Sequence, residues 1–309
     1  YHFELKLLNN IAKDLRFKRV SSGSINFERN DVEFILDHNK EPTQVIQKKI
    51  LDSHKLVEEF MLLANKLIAN KLSDTKPFLY RVHDLPNTDK LNELNSYLAT
   101  HKKRINTNLS PKLLAKEINR ILQNTKEYKA IIELMILRSM SKAEYSINNI
   151  GHYGLGFKKY THFTSPIRRY ADLMVHRLVL KKLNNSIIVP QNMENMCTHF
   201  SNMERLYVDL ERSTNKFVQL KLLKEKQDTV YDGTISGVVK WGIYVDLRGG
   251  QGEGLISVFD LKGDTYKYDD TLKQFVGKKT RKKYILGQIV QVEIKSVNLH
   301  TKELDLYLA

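Results

Sequence analysis

The chain has 309 residues, 41% hydrophobic and 28% charged, with no apolar run near the roughly 18 residues that a membrane span needs. Its only cysteine is Cys197, which excludes an intrachain disulfide framework and a cysteine-based zinc site and fits a cytoplasmic protein. Lys and Arg number 50 against 35 Asp and Glu, a net of +15, and the usual partner for such a balance is a polyanion, most often nucleic acid.

Residues 1–20 mix Lys, Arg, Asp and Glu with scattered Leu, unlike a secretory leader. Leu5, Leu8, Ile11 and Leu15 recur at helical spacing, and 25–27 with 32–36 reads as a strand pair. Helices are expected over 52–70, 111–123, 127–146, 167–183 and 192–226. On the first of these, Leu56, Val57, Phe60, Leu63, Ala64, Leu67 and Ile68 share the core arc. His54, Glu58, Met61 and Asn65 form a stripe beside it, and Glu59 points about 100° away from Glu58. On the last, Leu206, Leu210, Phe217 and Leu220 make an apolar face, with Glu204 and Glu211 on one edge.

Composition changes near residue 230. Ten of the 14 glycines lie between Gly233 and Gly287, and all six prolines lie at or before Pro190. Short strands at 233–239, 242–247, 254–258, 289–296 and 303–308 predict a small closed barrel. The expected division is 1–227 and 228–309. Residues 1–230 carry 38 basic and 25 acidic side chains, residues 231–309 carry 12 and 10, and residues 151–190 alone carry seven and one. The basic focus therefore falls on the helical part.

The segment YTHFTSPIRRYADLMVHRLV, 160–179, concentrates the chemistry. Ser165 before Pro166 predicts a helix start, which places Arg168 and Arg169 in the first turn. That end of a helix already carries partial positive charge, so two arginines there cost stability unless an anion joins them. Phosphate matches the guanidinium forks. The competing explanation is pairing with Asp172 at i+3 and i+4. We assign Arg169 to Asp172 and Arg168 to phosphate. GHYGLGF has the wrong glycine spacing for a dinucleotide site and marks a strand with close backbone approach. Arg81 and His83 face RNA or form a packed β-edge. Tyr160, His162, Phe163 and Tyr170 are core or channel wall. Trp241 and Tyr244, beside Lys240, suggest a base-stacking platform.

HFTSPIRRYADLMVHR resembles the signature of the ribonuclease II/ribonuclease R family of 3′-to-5′ exoribonucleases, nearer the ribonuclease R branch. SHKLVEEFMLLAN (53–65), LYRVHDLP (79–86), LRSMSKAEYS (137–146) and GHYGLGF (151–157) resemble further family blocks in the family's order, and the glycine-rich tail resembles its C-terminal OB module. The resemblance implies an α+β chain: the helix-rich C-terminal part of a mixed α/β catalytic domain, then a five-stranded OB-type β-barrel that binds RNA. It implies that Arg168 contacts the scissile phosphate, Glu211 lies near the active site and Glu58 accepts from a ribose hydroxyl near the 3′ end. Arg169, Lys240, Trp241, Tyr244 and Lys302 are the further RNA-binding candidates. Ser257 and Asn298 stand where the module often has histidine and aspartate.

The family hydrolyses RNA with Mg²⁺ held by clustered aspartates. Here Asp31, Glu33 and Asp37 read as the solvated side of a strand, and Asp269 and Asp270 as a loop, so neither set makes a convincing metal site. With a first residue Tyr1 rather than Met, the expectation is a C-terminal fragment whose metal ligands lie upstream and which is inactive alone. The intact protein would be a monomer, away from membranes. It would degrade single-stranded RNA, or RNA with a 3′ overhang, processively to nucleoside 5′-monophosphates. The rivals are a non-catalytic RNA-binding protein on the same scaffold and a translation-associated OB protein.

Overall fold

The computed structural model describes every residue except 28–31, 75, 126–128, 185–191, 227–228 and 271. In chain order the elements begin with α1 (His2–Ser21), β1 (Val32–Leu36), β2 (Pro42–Gln47), α2 (Asp52–Leu72), β3 (Tyr80–Val82), α3 (Thr88–Thr100) and α4 (Pro111–Gln123). There follow α5 (Lys129–Ser139), β4 (Glu144–Ser146), α6 (Tyr170–Asn184) and α7 (Met193–Lys224). The rest is strand: β5 (Tyr231–Val239), β6 (Gly242–Leu247), β7 (Gly252–Ser257), β8 (Tyr266–Asp269), β9 (Gln274–Gly277), β10 (Lys283–Ile285), β11 (Ile289–Asn298) and β12 (Glu303–Leu308). Two compact units result: Tyr1–Phe27, Ile50–Lys126 and Glu133–Tyr207 form one, and Glu28–Lys49, Glu127–Ile132 and Val208–Ala309 the other.

In the first unit, local chemistry sets the helix ends. Pro111 opens α4 after Ser110, and Leu114, Ala115, Ile118, Ile121 and Leu122 follow at helical spacing and are buried. The Asn87 side chain accepts from the Lys90 N–H and starts α3. The core gathers Leu79, Tyr80 and Val82 of β3, Tyr145 of β4, and Ala171, Met174, Val175 and Leu178 of α6. Ala69 and Leu72 of α2 and Met193 and Cys197 of α7 complete it.

Several expectations need correction. Residues 25–27 form no strand; β1 pairs instead with β2, around a turn in which Asp37 accepts from the Asn39 and Glu41 N–H groups. The Ile25 N–H goes to the Gly154 carbonyl and the Asn26 N–H to Asn119, which no local pattern foretells. The helix expected through residue 146 stops at Ser139, and 144–146 pairs with β3. The buried face of α2 is Glu59, Leu62, Asn65, Ala69 and Leu72, whereas Val57 and Leu67 are more than half exposed. Two polar residues hold this core face because both are satisfied, Glu59 by Arg19 and Asn65 by Tyr160 and Phe163. On α7, Leu206, Leu210 and Phe217 are exposed and only Leu220 of the expected face is buried.

In the second unit the five expected strands form a closed barrel in the order β11-β12-β7-β6-β5. Its narrowest seam is the single parallel pair Asp305–Leu255. Gly242 is required where β6 meets β7: a Cβ there would lie 2.2 Å from the Ile256 carbonyl oxygen. A three-stranded sheet, β10-β9-β8, is inserted between β7 and β11 and was not anticipated.

Candidate nucleic-acid interface

The signature segment is a rigidly held turn. Helix α6 begins at Tyr170, not at Pro166, and residues 166–168 form a turn before it. Asp172 causes this. Completely buried, it pairs with Arg169 (Nε to Oδ1, 2.9 Å) and accepts from the Ser165 N–H at 2.8 Å. That second bond pulls Ser165 back onto the helix and closes the intervening residues into a loop. Further upstream, the Thr161 hydroxyl donates to the Leu79 carbonyl, and the Phe163 N–H donates to Asn65. His176 stacks on Phe163 at 4.2 Å and donates from Nε2 to the Phe163 carbonyl. With those groups spent on the fold, Ile167 and Arg168 stand on the exposed tip. Among the described residues no carboxylate pairs with Arg168, whereas Arg169 is paired with Asp172. The structure thus divides the two arginines as the spacing suggested.

Beneath the turn lies a neutral aromatic layer. Arg81 of β3 pairs with Glu204 of α7 at 2.5 Å and lies over the Tyr145 ring. The Tyr145 hydroxyl is 2.9 Å from His162 Nδ1, and His162 packs edge-on against Tyr160. His83 stacks on His152, accepts from the Gly154 N–H through Nδ1 and donates to the Ser141 carbonyl through Nε2. Burial pulls His152 down to about 3. It takes His162 well below the ordinary imidazole range too, with Arg169 and Arg81 adding to the effect. Burial pushes Tyr145 up to about 12. These groups are neutral near pH 7 and serve as walls and spacers. Arg81 and His83 are therefore packed edge residues, the second of the two alternatives left by the sequence.

The acidic candidates differ in setting. Glu59 is buried and clamps Arg19, while its neighbour Glu58 is half exposed, with one oxygen 3.9 Å from the same guanidinium. Glu58 is thus available to a ligand. Glu204 and Glu211 share α7, but Glu204 is committed to Arg81 and Glu211 is exposed in the stretch that belongs to the second unit.

In the barrel unit, Lys240 and Trp241 form the two-residue turn between β5 and β6. Trp241 is 58% exposed and its indole N–H reaches the Tyr244 hydroxyl at 3.4 Å. Gly237 faces Tyr244 across the ladder, where a Cβ would touch the ring at 3.3 Å. Phe259, 95% exposed, joins them: the neighbouring Val258 N–H donates to the Trp241 carbonyl. Sequence reasoning passed over Phe259, whose signal was an aromatic two residues beyond the strand paired to Gly242. Lys302, also a candidate, sits at a turn with φ 57° and bonds the Ser213 hydroxyl of α7, so its ammonium is tied to the helix. Ser257 caps the short helical turn at Phe259, and Asn298 accepts from the His300 and Thr301 N–H groups. Both departures from the expected module thus serve as turn caps.

Among the described residues, no three His, Cys, Asp or Glu side chains converge as a metal ion requires. Asp31 lies outside the described residues. Asp269 ends β8 rather than lying in a loop, and Asp270 pairs with Lys273. No described helix is long and apolar enough to cross a membrane.

The RNB domain model matches residues 1–185 and the S1 RNA binding domain model residues 224–309. The chain is 33% identical over 301 residues to Ribonuclease R of Aquifex aeolicus, covering 95% of itself and 42% of that protein. To Ribonuclease R of Escherichia coli K12 it is 31% identical, covering 98% of itself and 39% of that protein. The structure of Mycoplasma genitalium RNase R in complex with ribose-methylated single-stranded RNA superposes with a TM-score of 0.90 at 25% identity. That match covers 99% of this chain and 49% of the other. The chain therefore spans about two fifths of the length of its curated relatives, and by the matched domains and these similarities it belongs to the RNB family of ribonuclease R-like exoribonucleases.

Proposed function

We propose that this chain is the RNA-holding C-terminal part of a 3′-to-5′ exoribonuclease that degrades single-stranded RNA, or RNA with a 3′ overhang, to nucleoside 5′-monophosphates. The observation that carries the reading is Arg168: a cation with no carboxylate partner among the described residues, presented on a turn whose neighbouring polar groups are consumed in holding it. Placed against the scissile phosphate, its planar fork stabilises the charge that builds during in-line displacement. Arg169 positions that fork. Glu58 accepts from a ribose 2′-hydroxyl, which selects RNA over DNA. The family resemblance further suggests an acidic role for Glu211, which lies in the second unit. In the S1-type barrel, Trp241 and Tyr244 stack on bases beside Lys240, and Lys302 adds a cation at the β11–β12 turn. Mycoplasma genitalium RNase R bound to single-stranded RNA supports this choice of substrate.

The described residues do not fit a divalent metal, so no step is assigned to one here. In this reading the Mg²⁺ ligands lie in the part of the relatives that the chain does not match. The catalytic-domain segment runs over 1–227 and the RNA-binding barrel over 228–309. The protein works as a cytoplasmic monomer, and the 309-residue chain alone does not cleave RNA.

The test is a 5′-labelled single-stranded oligoribonucleotide given to the product of the complete reading frame with Mg²⁺. The expected result is stepwise shortening from the 3′ end with release of nucleoside 5′-monophosphates. RNA bound but never cut would establish the non-catalytic scaffold instead. Binding lost on removal of 228–309 yet untouched by Arg168→Ala, without cleavage, would favour the translation-associated reading.

A further inference from the structure

The tip of the β9–β10 hairpin reads GKKTRKK, residues 277–283, and places Lys278, Lys279, Arg281, Lys282 and Lys283 within six positions. All five are exposed. Among the described ion pairs none involves them. Residues 231–309 hold 12 basic and ten acidic side chains; without these five cations seven would face ten, a net of −3. The positive balance of the barrel region thus resides in one hairpin tip, on a body that is otherwise slightly acidic. A solvated lysine-rich surface has no reason to sort its charge this way.

The tip is also fixed in shape. The Asp264 carboxylate accepts from the Thr265, Lys279 and Thr280 N–H groups and from the Thr280 hydroxyl. Those bonds, chiefly from Thr280, lower Asp264 to about 2. Arg281 takes φ 59°, a left-handed conformation uncommon for a side-chain-bearing residue. At Gly277 a Cβ would lie 2.5 Å from the Asp264 carboxylate, so glycine is needed for the clamp to close. The carboxylate is spent on the turn's own N–H and hydroxyl groups, so the five exposed cations of this short segment have no ion-pair partner among the described residues. An incoming row of anions therefore meets cations on a turn that is already ordered.

We infer that this hairpin tip is a second RNA contact of the barrel unit, one that grips successive phosphates and is separate in chemistry from the stacking aromatics at Trp241, Tyr244 and Phe259. The inference rests on the reading that the barrel takes RNA. Its partner is the phosphodiester backbone, without base preference, because lysine ammonium groups read charge and not base edges.

The test measures affinity of the 309-residue chain for a single-stranded oligoribonucleotide across a salt titration. Each phosphate neutralised contributes about 0.7 to the slope of log affinity against log salt for single strands. The variant K278Q/K279Q/R281Q/K282Q/K283Q should lower the slope by about 2 and weaken binding at low salt on the order of tenfold or more. The matching variant with arginine at the four lysine positions should keep both, separating charge from fold. Trp241→Ala should weaken binding while leaving the slope unchanged. If the five-glutamine protein fails to fold, K278Q/K279Q and K282Q/K283Q should each lower the slope by about 1. An unchanged slope in the glutamine variants, with Trp241→Ala still weakening binding, overturns the hairpin contact and leaves the RNA reading intact. A wild-type chain with no affinity for RNA at low salt overturns both.

Discussion

The turn around Arg168 and the aromatic corner of the barrel are built on opposite plans. The turn has an interior: Asp172, Asn65 and Thr161 are buried beneath it, and their bonds present a single guanidinium. The barrel corner has hardly any: Trp241 and Phe259 stand mostly in solvent, with the Val258 N–H on the Trp241 carbonyl and the indole N–H on the Tyr244 hydroxyl. One arrangement suits a contact that must meet a reacting phosphate at a fixed place. The other suits contacts that accept any passing base. Stability and function should therefore be coupled in the first region and separable in the second.

The sharpest break of that comparison is Asp172→Ala. It leaves Arg169 without its partner and the Ser165 N–H without an acceptor, which should cost about 3–5 kcal/mol in thermal or chemical unfolding of the helical unit. A loss below about 1 kcal/mol would show that the turn is held by other means.

Acid comes next. The folded His152 titrates near 3 against an ordinary 6.5, so on lowering the pH the unfolded chain takes the proton first. Stability is complete above about 6.5 and falls as the pH drops from there toward 3, by about 1.4 kcal/mol per unit for this group alone. His162 acts in the same direction. Helical circular dichroism should register the loss between pH 7 and 5. Fluorescence of Trp241, the only tryptophan, reports the barrel and should change less. Equal losses in both signals would erase the distinction between the regions.

Smaller still, Trp241→Ala should reduce RNA affinity by about 1–3 kcal/mol with little change in barrel stability. Phe259→Ala should act in the same way and more weakly. A large stability loss in either would make these rings packing residues.

What the sequence made legible follows the range of the interactions. Arg169 with Asp172 is an i,i+3 pair, and it is visible in the letters. The barrel strands follow from alternation and glycine, and β6 and β12 appear where expected. The start of α6 was misplaced because Ser165 and Pro166 make a plausible cap. Only the reach of Asp172 back to the Ser165 N–H reveals the turn. The face of α2 was misread for a related reason. Hydrophobicity argues against burying Glu59 and Asn65, but Arg19 and Tyr160, 40 and 95 residues away in sequence, satisfy them. The exposed apolar residues Leu206 and Leu210 show the limit of periodicity, which finds a stripe without showing what covers it.

Arg168, without a carboxylate partner among the described residues, is proposed to meet the phosphate under attack. Single-turnover cleavage by the product of the complete reading frame tests it most directly. Arg168→Ala should slow cleavage by orders of magnitude while RNA affinity changes by less than about threefold. An unchanged cleavage rate would contradict it.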